Sequence, residues 1–163
     1  MLLSSLKPIG HLSSDPSMKF RVSILVILLA FGLFGCEKDG SISVIPEIGF
    51  VSIDPVAAQQ FDAVEIVISY QDGDGDLGEN IAGVENLFVT DLRNGVVYTY
   101  RIQELAPQGS SIAIQGNLNI QINAVSVIDP MATSEQVQYS IYVVDRAGNQ
   151  SNVVTTDEIT VTK

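Results

Sequence analysis

The amino-acid sequence predicts an all-β fold, a two-sheet antiparallel sandwich of about seven strands, and three observations carry that prediction. Beyond residue 46 the chain is a succession of short runs rich in Val, Ile, Thr and Tyr. Gly, Pro, Asn and Asp clusters separate them roughly every eight to twelve residues. No stretch has a helical apolar period. The pattern fits a sandwich with Greek-key connections or a small closed barrel, and the sandwich is favoured.

Each run has its own logic. Residues 47–53 form a first strand closed by Asp54-Pro55, and in 63–70 the alternation of Val64, Ile66, Ile68 and Tyr70 puts four large side chains on one face. Strands at 87–91 and 96–102 flank Arg93-Asn94-Gly95, where Asn-Gly supplies the positive φ angles of a tight hairpin. In 117–123, Leu118, Ile120 and Ile122 oppose Asn117, Asn119, Gln121 and Asn123, as in a half-exposed strand. Residues 137–144 turn Val137, Tyr139, Ile141 and Val143 inward; a turn at Asp145-Arg146-Ala147-Gly148-Asn149 leads to strands at 151–155 and 158–162. The 163 residues suit one domain.

Ahead of that domain the chain has the layout of an export signal. Lys19 and Arg21 precede the apolar run 22–34, followed by Gly35 and Cys36. A helix over that run is about 20 Å long, short of a hydrocarbon core of about 30 Å. The expectation is a leader over 1–35 that starts in effect at Met18. Residues 37–46 are polar and carry Gly and Ser, which predicts a tether over 36–46 and a domain over 47–163.

Composition excludes several functions. Of 19 acidic residues only Asp15 precedes Cys36, whereas Lys7, Lys19 and Arg21 do; from Cys36 onward there are 18 acids against 5 bases, a net charge of −13. Nucleic acid is therefore excluded as a partner. The single histidine, His11, falls in the leader, and the single cysteine is Cys36. The domain thus has no disulfide, no His or Cys metal site and no nucleophile-base pair. Paired carboxylates for glycoside cleavage have no support beyond one acidic loop, so the sequence argues against an enzyme.

That loop spans residues 71–80. Asp72, Asp74 and Asp76 alternate with glycines, and Glu79 follows. Calcium takes about six to eight oxygens, and carboxylates two residues apart can converge on one ion; without a cation they repel. The loop is not an EF-hand, because Leu77 stands at its sixth position and Gly83 at its twelfth. A solvated Asp-Gly turn is the alternative. An immunoglobulin-like topology would bring the turn holding Asp145 and Asn149 to the same end, either to complete an ion site or only to cap its own backbone.

Leu33-Phe34-Gly35-Cys36 resembles a lipobox, which implies cleavage before Cys36 and a lipid on its sulfur, enough to hold the protein on a membrane. The segment from Phe50 to Tyr70, the motif Asp72-Gly73-Asp74-Gly75-Asp76-Leu77-Gly78 and the turn Asp145-Arg146-Ala147-Gly148-Asn149-Gln150-Ser151 together resemble lipoproteins of the Bacteroidota with a single immunoglobulin-like domain. Glu37-Lys38-Asp39 looks like the charged signals that send such lipoproteins to the outer face of the outer membrane. The resemblance implies a lipid-anchored outer-membrane protein and supplies no activity.

Two roles are expected from this. One is a non-enzymatic surface binding or scaffolding module, with an envelope protein as partner and Ca2+ at the acidic loop. The other is a carbohydrate-binding accessory of a glycan uptake system, using Asn117, Asn119, Gln121 and Asn123 with Tyr142 nearby.

Overall fold

The structure, a computed structural model, describes residues 41–163. The leader, Met18, the lipidation site Cys36 and Glu37-Lys38-Asp39 lie outside the described residues. No helix occurs among the described residues. The strands are β1 (Glu47–Asp54), β2 (Ala57–Gln59), β3 (Val64–Asp72), β4 (Leu87–Asp91), β5 (Val97–Tyr100), β6 (Ile114–Ile122), β7 (Ser134–Val137), β8 (Tyr139–Val143), β9 (Val154–Thr155) and β10 (Ile159–Thr162).

One antiparallel layer has the order β1-β3-β6, and the other comprises β5-β4-β8-β9 and β2-β10-β7. Gln138 alone separates β7 from β8, so the strand expected over 137–144 is one path that starts earlier and is interrupted once. Thr156 bridges that break by donating its N–H to the Tyr139 carbonyl while its Oγ1 accepts the Tyr139 N–H. The chain changes layer after β1: β1 pairs antiparallel with β3, whereas β2, just past Pro55, runs parallel to β10. This arrangement is an immunoglobulin-like sandwich. The edges β5 and β6 do not pair, so no barrel closes.

Alternation fills the space between the layers. Val64, Ile66 and Ile68 from one sheet and Val137, Ile141 and Val143 from the other are each 0% exposed, and each such side chain contributes about 1.5–3 kcal/mol by leaving water. Ile120 and Ile122 join them, and Leu118 packs at the margin. Tyr139 is buried, while Tyr70, Tyr98 and Tyr100 are half-buried against the core. Residues 41–163 form one compact unit that holds the ten strands and this core.

The β4–β5 hairpin forms as expected, but its turn differs. It runs through Leu92, Arg93 and Asn94 and closes on Gly95, the only one of these with positive φ (73°). The Gly95 N–H donates to the Asp91 carbonyl at 2.8 Å and the Asp91 N–H to Val96 at 2.9 Å. A longer loop of this kind needs the left-handed conformation once, at glycine.

One side-chain clamp holds β1 in place. Asn152 Oδ1 accepts the Ile48 N–H and its Nδ2 donates to the Ile48 carbonyl, both at 2.8 Å, in place of a neighbouring strand. Ile48 is buried, so an Asn152→Ala variant strands both backbone groups. Its expected cost is about 1–3 kcal/mol, read from urea unfolding; a change within a few tenths would mean that water replaces the amide.

Candidate metal centre

The acidic loop leaves β3 at its last residue. Asp72 is buried, and its Oδ2 accepts the Leu77 N–H at 2.8 Å. Leu77, one of the two residues that depart from the EF-hand pattern, is 0% exposed and plugs the core. This anchor draws the loop inward and pulls its carboxylates out of solvent with it.

Three of those carboxylates meet. One oxygen from each of Asp72, Asp74 and Asp76 lies within 4.8 Å of the other two. The Oδ1 atoms of all three are buried and have no hydrogen-bond partner. A single cation at about 2.3–2.6 Å from each oxygen fits that spacing. Buried carboxylate oxygens without partners are costly, and a metal ion removes the cost by ligating them. The cluster can therefore hold a metal ion, and an all-oxygen donor set suits a hard cation.

Neighbouring segments brace the loop on two sides. The Arg146 N–H donates to the Asp76 carbonyl at 3.2 Å and the Ala147 N–H to Asp76 Oδ2 at 3.1 Å, so the β8–β9 turn meets the loop as the topology predicts. The Arg146 guanidinium donates to the carbonyls of Gly78 (2.7 Å) and Gly75 (3.3 Å). On the other side the Gly73 N–H donates to the Ser43 carbonyl at 2.7 Å. A side chain at 73 would collide with the carbonyls of Ile42 and Ser43, so glycine is required for this approach. Pro46 is buried, and the described part of the tether expected over 36–46 is thus docked against the loop.

Three expected ligands stand outside the converging set. Both Asp145 carboxylate oxygens are taken by Asn149, one by its N–H at 2.7 Å and the other by Nδ2 at 2.9 Å, so this pair caps its own turn. Glu79 is tied by its backbone to Ile102 at 2.9 Å, and its carboxylate is not among the converging oxygens. Sequence reasoning gave Arg146 no role beyond its place among turn formers.

Burial raises the Asp72 carboxyl above the ordinary aspartate range, and Asp74 beside it adds to the rise. Burial likewise raises Asp76, followed by the charges of Asp145, Asp74 and Asp72. For a group whose pKa rises on folding, the contribution to stability is complete below the unfolded value of about 3.9 and is lost as pH climbs through the folded value. The chelated domain is thus expected to melt at higher temperature as pH is lowered toward that unfolded value. A melt series on the domain and on Asp76→Asn checks this: the variant's rise should be shallower, and equal slopes would remove Asp76 as the cause.

The glycan surface expected from the sequence does not assemble as a unit. Asn117, Asn119, Gln121 and Asn123 are exposed on the β1-β3-β6 side, whereas Tyr142 lies on the outer face of the opposite layer. There Tyr142 stacks on Phe88, with ring centroids 4.8 Å apart, and is not a free platform. No family model matches the chain, and no curated protein or solved structure matches it either.

Proposed function

We propose that this chain is a non-enzymatic bacterial lipoprotein: an immunoglobulin-like domain anchored to the outer membrane through lipid on Cys36, exposed at the cell surface, and serving as a binding or scaffolding module. In this reading Ca2+ occupies the Asp72-Asp74-Asp76 cluster. The observation that carries it is the convergence of the Asp72, Asp74 and Asp76 carboxylates, each of which also has a buried oxygen without a partner, on a loop that also holds Ser43, at the root of the tether. An ion there stiffens the junction between membrane and domain. The chemistry agrees with a binding role, because the sequence after Cys36 has neither histidine nor a second cysteine.

Labelled palmitate tests the anchor. Expression in a bacterial host with lipoprotein processing should label the chain, a Cys36→Ser variant should lose the label, and protease added to intact cells of a Bacteroidota host should remove the domain. A chain that takes no label is not a lipoprotein, and one shielded from protease is not at the surface.

A second reading, a carbohydrate-binding accessory, is favoured by one feature. A shallow groove of about 550 Å³ between β1, β3 and β6 is lined by Glu47, Ser69, Gln71, Gln115 and Asn117, side chains that match sugar hydroxyls. A glycan array on residues 41–163 separates the two readings.

A further inference from the structure

β6 is an outer strand that pairs only with β3. Antiparallel strands direct the backbone groups of alternate residues to opposite sides. The Tyr100 hydroxyl donates to the Gln121 carbonyl from outside the ladder at 3.0 Å, which fixes the phase. Gln115, Asn117, Asn119 and Gln121 therefore turn their N–H and C=O groups away from β3. Such edges are normally blunted by Lys, Pro or a bulge; β6 has none of these over nine residues.

The strand is also nearly palindromic. About Leu118, Asn117 matches Asn119, Gln115 matches Gln121 and Ile114 matches Ile122, and only Gly116 against Ile120 breaks the symmetry. Set β6 against a second β6 on a two-fold axis through Leu118. Asn117 of each copy then faces Asn119 of the other, and Gln115 faces Gln121. These are the residues whose backbone groups point outward, so the register that matches the side chains is also the one that makes the hydrogen bonds. Opposed amides and opposed isoleucines are favourable cross-strand pairs.

Charge selects the same partner. The chain from Cys36 has a net charge of −13, yet residues 105–128 carry no charge at all. An acidic copy is repelled by the rest of the surface and meets no charge on the strand itself, although Glu65 of β3 lies beside it and its carboxylate accepts from Asn119 Nδ2 at 2.7 Å. We infer that the β6 edge is a homodimer interface, joining two β1-β3-β6 sheets into one of six strands through an isologous contact that stops at two copies.

Two paired strands bury less than the roughly 1,200 Å² of a stable interface, so the dissociation constant is on the order of 0.1 mM. At both ends the Tyr100 hydroxyl already holds the Gln121 carbonyl and residues 100–103 stand beside it, so the pairing is centred on Asn117 and Asn119.

Sedimentation equilibrium of residues 41–163 over about 0.01–1 mM brackets that affinity. It is run in excess calcium and again in chelator, which keeps the result independent of the metal site. A monomer–dimer equilibrium is expected in both. The Asn117→Lys/Asn119→Lys variant opposes lysines across the axis and should weaken association at least tenfold with its melting temperature unchanged. Mixing it with Asn117→Glu/Asn119→Glu should restore a heterodimer. A wild-type domain that stays monomeric overturns the inference and leaves the edge to a peptide strand of another protein. Assemblies beyond two copies, or a dimer indifferent to the lysines, overturn it as well.

Discussion

Replacing Arg93 with alanine is expected to destabilise the domain by about 3–5 kcal/mol, because it leaves a buried carboxylate without its partner. Asp91 closes β4 with its side chain 1% exposed. The Arg93 fork meets both of its oxygens, Nε to Oδ1 at 3.0 Å and Nη2 to Oδ2 at 2.7 Å. Nη1 reaches on to Glu135 and to the Ser126 carbonyl, at 2.7 and 2.8 Å. Glu135 in turn accepts the N–H groups of Ile128 and Asp129, which hold its carboxyl below the usual range, with Arg93 adding to the effect. One guanidinium thus ties the β4–β5 turn to the loop between β6 and β7. Urea unfolding followed by circular dichroism measures the loss. The Asp91→Ala/Arg93→Ala double variant should lose less than the sum of the single ones, because no buried charge is then left alone. A loss under about 1 kcal/mol for Arg93→Ala would mean that water reaches Asp91 and the pair is passive.

The second large effect changes sign with calcium. In chelator, Asp74→Asn should raise the melting temperature, because it removes one of three carboxylates that repel each other across 4.8 Å or less. The Asp74 side chain makes no hydrogen bond to a backbone N–H that the change would disturb, unlike Asp72 and Asp76. In excess calcium the same variant should melt lower than the parent. At about one hundred times the dissociation constant, binding contributes about 2.7 kcal/mol, or roughly 10 °C in a domain of this size. Thermal scans of both proteins in both buffers form the test. A variant less stable in chelator would show the cluster to be held together by hydrogen bonds rather than opposed by charge.

Much of this was legible from residue types alone, for stated physical reasons. Val64, Ile66 and Ile68 alternate because one face of β3 meets the core, and the same reasoning placed Val137, Tyr139, Ile141 and Val143. β2 was not legible: Ala57–Gln59 is too short for a period, and it is a strand only because β10, a hundred residues away in sequence, pairs with it. The meeting of the acidic loop with the 145–149 turn followed from topology, but the direction of each side chain did not. Asp145 turns to Asn149, whose backbone N–H and side-chain amide offer two donors within its own turn. Leu77 read as a flaw in a metal loop, and it is the plug that buries that loop. Arg93 and Arg146 entered only as members of turns, since nothing local announces that a buried carboxylate or two loop carbonyls await them.

In the proposed function Asp72, Asp74 and Asp76 form a calcium site. Isothermal titration of calcium into residues 41–163, with Asp74→Asn as control, tests it most directly. One site per chain is expected, with a dissociation constant of about 0.1–1 mM or tighter, and no binding heat in the variant. Absence of heat in the parent protein, or equal heat in both, would contradict it and leave an acidic turn whose buried oxygens answer to protons alone.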